Sequence, residues 1–185
     1  MVTKGKCTVF TSGLRGAEAA FGEEAVKRGM QECVYTFADQ KVDRVNAQCV
    51  NVLAADELAR GNISMEIVSQ MMNRKYYGSE KIRKVLQVLF HVVNSGHQVI
   101  VVGKILEDNT VKGGTGWTVE LAKLFNRPLS VFDQTRDKWF VWDSGTWIEG
   151  IPQIKFDTLA CSGTRNLTEN GRKAIADLFD SAFGS

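Results

Sequence analysis

The stretch Cys7-Thr8-Val9-Phe10-Thr11-Ser12-Gly13-Leu14-Arg15-Gly16, read on through residues 17–28 to Gly29 and Glu32-Cys33-Val34-Tyr35-Thr36-Phe37, decides the fold. Residues 7–11 form a short β-rich run that ends at Ser12-Gly13 and predict a buried strand. Ala17, Ala20, Phe21, Ala25 and Val26 then recur at helical spacing, and Gly29 is a natural helix stop. Residues 32–37 predict a second strand. Strand, turn, helix, strand is a βαβ unit, and such units build parallel sheets.

The rest of the chain extends this pattern. The polar stretch 39–61 is weakly patterned, with a helix expected over 50–60. Residues 63–72 and 79–94 carry helical periodicity, separated by Tyr76-Tyr77-Gly78-Ser79. In the second, Ile82, Val85, Leu86, Leu89, Phe90 and Val93 make an apolar stripe. The uninterrupted run Val99-Ile100-Val101-Val102 before Gly103 predicts a central parallel strand covered on both faces. A helix is expected over 116–125 and a strand over 129–132. Residues 138–147 predict a hairpin bending at Asp143-Ser144-Gly145. A last short strand is expected over 159–161 and a closing helix over 167–183, with Asn166 capping it and Glu169 as partner. The sum is an α/β fold, a three-layer parallel sheet with helices on both faces and a late β-hairpin, in one domain over 1–185.

Composition narrows the function classes. Of the 185 residues 44% are apolar and 24% charged, which are globular proportions. A formal net charge of +2 supplies no field that would make nucleic acid the main partner. Cys7, Cys33, Cys49 and Cys161 are widely spaced and read as small buried apolar residues. His91 and His97 lack the spacing of a helical metal pair, so no metal site is expected. The N-terminus shows no signal-peptide pattern and no stretch is long enough to span a membrane, so a cytoplasmic protein is expected.

Three turns repeat one arrangement: Ser12-Gly13-Leu14-Arg15-Gly16, Gly113-Gly114-Thr115-Gly116 and Ser162-Gly163-Thr164-Arg165 each join a strand or loop to a helix. In a parallel sheet such turns lie at the carboxyl ends of the strands, where ligands bind. Free helix N-terminal amides and the helix dipole together favour a phosphate there. Gly13 and Gly16 also suit a simple tight bend. The adjacent glycines of the second turn are the stronger phosphate signal. Arg165 either forks onto phosphate or sits in solvent. Glu120 either complements the helix dipole or holds ribose hydroxyls and a developing oxocarbenium ion. Asp133 ends a strand, facing the site or forming a turn. Trp117 is a candidate for stacking on a base, whereas Trp139 and Trp142 suit hairpin packing.

Lys112-Gly-Gly-Thr-Gly-Trp-Thr-Val-Glu120 resembles the P-G-G-x-G-T-x-x-E motif of the LOG, or lysine-decarboxylase-like, family within a broader Rossmann-like superfamily. Phe10–Ala17 and Gly22–Gly29 are similar to that family's first turn and first helix. Pro128–Gln134 and Gly163–Gly171 are similar to the molybdenum-cofactor-carrier branch. Lys112 replaces the motif proline and Trp117 its threonine. No Arg stands near Gln87-Val88, where the hydrolases of the group carry one; Arg83 lies one turn earlier.

The resemblance implies a phosphate-bearing ligand touching Ser12, Gly13, Arg15, Gly16, Gly103, Gly113, Gly114, Thr115, Gly116, Trp117, Asp133, Gly163, Thr164 and Arg165. It implies either hydrolysis of a nucleoside 5′-monophosphate by Glu120 with Arg83, or a carrier or sensor of a nucleotide or molybdopterin-type ligand. No further cofactor is implied. A homodimer is, with helix 79–94 as one face.

Overall fold

The computed structural model describes residues 4–76 and 78–184; Met1 to Thr3, the start of the N-terminal reading, and Tyr77, part of the expected helix break, lie outside them. The first βαβ unit is β1 (Thr8–Thr11), α1 (Ala17–Lys27) and β2 (Gln31–Phe37). A third parallel strand, β3 (Cys49–Leu53), pairs with β2 and ends the sheet. It replaces the first half of the helix expected over 50–60. Val50 and Val52 are β-branched and suit an edge strand whose surroundings leave both exposed. Only the short α2 (Ala55–Ala59) is helical, and the Glu57 carboxylate accepts the Ala54 N–H at its start.

Helices α3 (Asn62–Met71) and α4 (Glu80–Ser95) lead to β4 (Gln98–Gly103), which is buried along its whole length. Then come α5 (Thr115–Leu124), β5 (Leu129–Asp133), the hairpin β6 (Lys138–Asp143) and β7 (Thr146–Glu149), β8 (Thr158–Gly163) and α6 (Glu169–Phe183). Ser144 and Gly145 both have positive φ at the hairpin bend. The strand order is β3-β2-β1-β8-β4-β5-β6-β7, parallel except for the hairpin. The last strand in sequence is thus a central strand in space, between β1 and β4.

The pleat divides the core in two. Val99, Val101 and Val131 face a layer containing Leu86, Leu89, Val92 and Leu121, from α4 and α5. Ile100, Val102 and Leu159 face Phe21 of α1 and Ile175 and Phe179 of α6. Helices therefore cover both faces, as the unbroken apolar run of β4 requires.

Local chemistry sets the joints. Ser79 Oγ accepts the Ile82 N–H at 3.3 Å and caps α4. Its loss in Ser79→Ala is expected to cost about 1 kcal/mol in urea unfolding, with the slope of the transition unchanged. The expected cap Asn166 is displaced: α6 begins after Thr168, whose N–H and hydroxyl both donate to Gln134 Oε1 at 2.8 Å. Tertiary anchoring to the end of β5 thus overrides the local capping pattern. Residues between β2 and β3 are held by a paired contact. Arg44 donates to both oxygens of the fully buried Glu32, at 2.8 and 2.6 Å. Cys7 and Cys161 are buried and free, but Cys33 and the exposed Cys49 face each other in register and form a disulfide. The expectation of four separate buried thiols fails for that pair. No helix of the described residues is long and apolar enough to cross a membrane.

Candidate functional site

The carboxyl ends of β1, β8, β4 and β5 open into one cavity of about 640 Å³, the size of a small-molecule site. It sits where chain direction across the sheet reverses, between the β1–β2–β3 half and the β4–β5 half, with β8 in the gap.

One end of the cavity is the start of α5. No protein group accepts the N–H of Gly113, Gly114 or Thr115 among the described residues; the first amides to bond inward are those of Gly116 and Trp117. Gly113 and Gly114 are exposed, and all three residues line the cavity. Gly113 needs glycine for its φ of +72°. Gly114 does not: its φ of −62° and ψ of −31° suit any residue, and a Cβ there would meet nothing within 4 Å. The two glycines leave a bare patch of backbone open to the cavity. The turn behind it is braced by Arg74, which donates to Val111 O, Gly113 O and Thr110 Oγ1 at 3.0–3.1 Å. Gly116 serves that brace. A Cβ would lie 2.2 Å from Val111 O and 2.6 Å from Arg74 Nη1.

The rim is cationic. Lys81, Lys104, Lys112 and Arg165 line the mouth, and all are exposed. One wall is apolar, built by Ile82, Val85, Leu86 and Leu89 of α4 with Leu14. The helix expected as one dimer face, α4, thus lends part of its apolar stripe to the cavity.

The floor holds Glu18, the one carboxylate among the lining residues. It is 4% exposed. Its Oε2 accepts the Ser12 N–H at 3.1 Å, the Leu14 N–H at 3.4 Å and the Ser12 hydroxyl. Its Oε1 accepts the Ser162 hydroxyl at 3.0 Å, and Ser162 in turn accepts the Thr118 hydroxyl at 3.1 Å. Burial pushes the Glu18 carboxyl above its ordinary value of 4.5, against the opposing pull of the Ser12 and Ser162 hydrogen bonds. Glu18 therefore knots the ends of β1 and β8 to α5.

Of the residues expected from sequence, Gly103, Gly113, Gly114, Thr115, Gly163, Thr164 and Arg165 line this cavity. The others stand elsewhere. Ser12 is buried behind Glu18. Gly13 accepts the Asp43 and Arg44 amides with its carbonyl, and Arg15 is exposed outside the cavity. Gly16 lies against Thr164 and Arg165, whose backbone atoms leave no room for a Cβ. Trp117 is 5% exposed and packs 5.9 Å from Tyr76 in the core. Asp133 lies away from the cavity, accepting the Ile105, Thr135 and Arg136 amides.

The two expected catalytic residues are also outside the lining. Glu120 is 4% exposed and bound to Lys123 at 2.7 Å; Lys123 in turn lies 3.9 Å from the Trp142 ring. Thr118 points at Ser162, and Glu120, two residues on, is turned about 200° around the helix. Arg83 lies beside the cavity-facing Ile82 but does not line the cavity. Glu18, Lys81, Lys104 and the α4 wall were not among the residues expected from sequence, and Ser162 entered only as the first residue of the third turn. The signal that could have found Glu18 was a carboxylate in the first turn of a helix entered from Ser12-Gly13. Among the described residues, no group of His, Cys, Asp and Glu is arranged to hold a metal ion.

No protein-family model matches the chain, and none of the curated proteins matches it. A similar solved structure is that of a "putative molybdenum carrier protein" from Syntrophus aciditrophicus, 12% identical, with a TM-score of 0.57 over 94% of this chain and 92% of that one. At that identity the likeness establishes the α/β fold and not the chemistry.

Proposed function

We propose that the cavity binds a small phosphate-bearing heterocycle of nucleotide or molybdopterin type, and that the protein carries or senses this ligand without turnover. The observation that carries the reading is the set of unpartnered amides at Gly113, Gly114 and Thr115, facing a cavity with a cationic rim. Helix N-terminal amides and dipole favour a phosphate. Lys104, Lys112 and Arg165 add charge at the mouth. The α4 wall of Ile82, Val85, Leu86 and Leu89 suits the flat body of a heterocycle. The likeness to a structure described as a carrier supports the same side of the choice.

Hydrolysis of an N-glycosidic bond is the weaker reading. The two residues it relies on, Glu120 and Arg83, are not in the lining, and Glu120 is paired with Lys123. Strand-like nucleic acid is disfavoured because the described lining residues include no aromatic platform for stacked bases.

The test is thermal unfolding with a panel of nucleoside 5′-monophosphates and phosphorylated pterins, alongside mass spectrometry of whatever co-purifies. A ligand at one hundred times its Kd is expected to add about 2.7 kcal/mol, or roughly 5–10 °C for a chain of this length. The accompanying free base should not accumulate. If no member of the panel stabilises the protein and nothing co-purifies, the reading fails.

A further inference from the structure

We propose that Glu18 is the group that reads the ligand: its Oε1 accepts a hydrogen bond from an O–H or N–H donor lying a few bonds from the phosphate. The inference rests on the binding reading above and adds the residue that sets specificity.

The argument is a count of donors around one buried carboxylate. A carboxylate oxygen accepts about two hydrogen bonds. Oε2 is full, with two amides and the Ser12 hydroxyl on it. Oε1 has one partner, the Ser162 hydroxyl. The single proton of Ser162 is committed to Oε1, and its oxygen takes the Thr118 proton. The chain of hydroxyls therefore runs one way, from α5 through β8 to Glu18. Every neighbouring proton points at the carboxylate, and what it offers the cavity is a single acceptor position.

That position is close to the start of α5. Thr118, which feeds the hydroxyl chain, is one helical turn beyond Thr115, whose amide has no protein acceptor among the described residues. A bare anion settling at the start of α5 would meet a buried carboxylate with an unfilled acceptor. A ligand that carries an anion and a nearby donor satisfies both. Two sources supply that chemistry: a sugar hydroxyl next to a phosphate ester, or a ring N–H of the heterocycle. A site built around a buried acceptor rejects the analogue lacking the donor.

Glu18→Gln tests this with little change in shape. The amide oxygen can take the Oε2 place and keep the Ser12 and Leu14 amides. Its NH₂ then replaces Oε1, the Ser162 hydroxyl turns to accept, and a donor faces the ligand's donor. Binding is measured by calorimetry for guanosine 5′-monophosphate, its 2′,3′-dideoxy analogue, adenosine 5′-monophosphate and inorganic phosphate. The wild type is expected to favour guanosine 5′-monophosphate by about tenfold or more over one of the two analogues. A drop with the dideoxy analogue identifies a sugar hydroxyl, and a drop with the adenosine compound identifies an N–H of the base, from the ring or its 2-amino group. Either preference should vanish in Glu18→Gln. The inference is overturned if Glu18→Gln binds guanosine 5′-monophosphate as tightly as the wild type, or if the wild type binds the three nucleotides alike. A wild type that binds none of them, is stabilised by no phosphorylated pterin and carries no co-purified ligand overturns the binding reading as well. Ser162→Ala gives a second measurement that leaves Glu18 in place. The preference should persist there, and its loss would assign the reading to Ser162 instead.

Discussion

Gly16→Ala is expected to destabilise the protein by about 3 kcal/mol or more, from strain and overpacking together. Gly16 has a φ of +94° and a ψ of −129°, a region that residues with a Cβ rarely adopt. The added Cβ would lie 2.4 Å from Thr164 O and 2.7 Å from both Arg165 Cα and Arg165 O. These are backbone atoms, so no side chain can swing aside. The contact is also where the first and third turns meet: the Ala17 N–H donates to Thr164 O at 3.0 Å. Forcing the turns apart pulls Glu18 from Ser162 and opens the cavity floor. Thermal melts should show a fall of roughly 6–12 °C. Gly29→Ala is the control. Gly29 has a φ of +73° but nothing within 4 Å of its added Cβ, so it bears the conformational cost alone, about 1 kcal/mol. Equal losses in the two variants would mean that the backbone approach at Gly16 contributes nothing.

Glycine shows why some of this molecule could be read from sequence and some could not. The turns were visible because glycines gather between a strand pattern and a helix pattern where the chain bends tightly or lets another group come close. The reason for each glycine was not. Gly16, Gly116 and Gly163 are glycines because another part of the chain passes too close for a Cβ. At Gly16 and Gly163, and for Arg74 against Gly116, such contacts join residues far apart in sequence, and no local pattern records them. The central place of β8 is hidden for the same reason. Residues 159–161 announce a strand, but nothing in them says that β1 and β4 leave a gap for it. The run at 99–102 was informative because its surroundings are written into it: four consecutive apolar residues leave no polar face.

The site residues divide along the same line. Gly113, Gly114 and Thr115, which line the cavity, are legible in the sequence because helix-start chemistry is local. Glu120 and Trp117 lie outside the lining because a motif gives distance along the chain, whereas a helix assigns direction by angle. From Thr118, which faces Ser162, Trp117 turns about 100° to meet Tyr76 and Glu120 about 200° to meet Lys123. Lys123 stands three residues after Glu120, so that pairing was available as a local signal. Glu18 had the opposite fault. It sits in an alanine-rich first turn, where an acidic residue suits the dipole and draws no notice. Its function as a knot between β1, β8 and α5 depends on Ser162, 144 residues away.

Gly114→Asp is expected to stabilise the fold and abolish useful ligand binding, two effects of opposite sign from one substitution. Gly114 needs neither a positive φ nor the absence of a Cβ. Replacing it lowers the entropy of the unfolded chain, and an aspartate in the first turn complements the helix dipole. Each effect is worth up to about 1 kcal/mol. The same carboxylate occupies the ground that the phosphate needs. Two unit charges about 5 Å apart repel by roughly 3 kcal/mol at an effective dielectric of 20, which corresponds to an affinity loss of about 100-fold. Denaturant unfolding without ligand and calorimetry with the best ligand of the panel measure the two effects separately. Gly114→Asn carries the same bulk without the charge and should lose far less affinity. An aspartate variant that gains stability and binds as before would place the anion somewhere other than the start of α5. Lys104, Lys112 and Arg165 would then be the groups that hold it, and binding would weaken steeply with salt as exposed charges are screened.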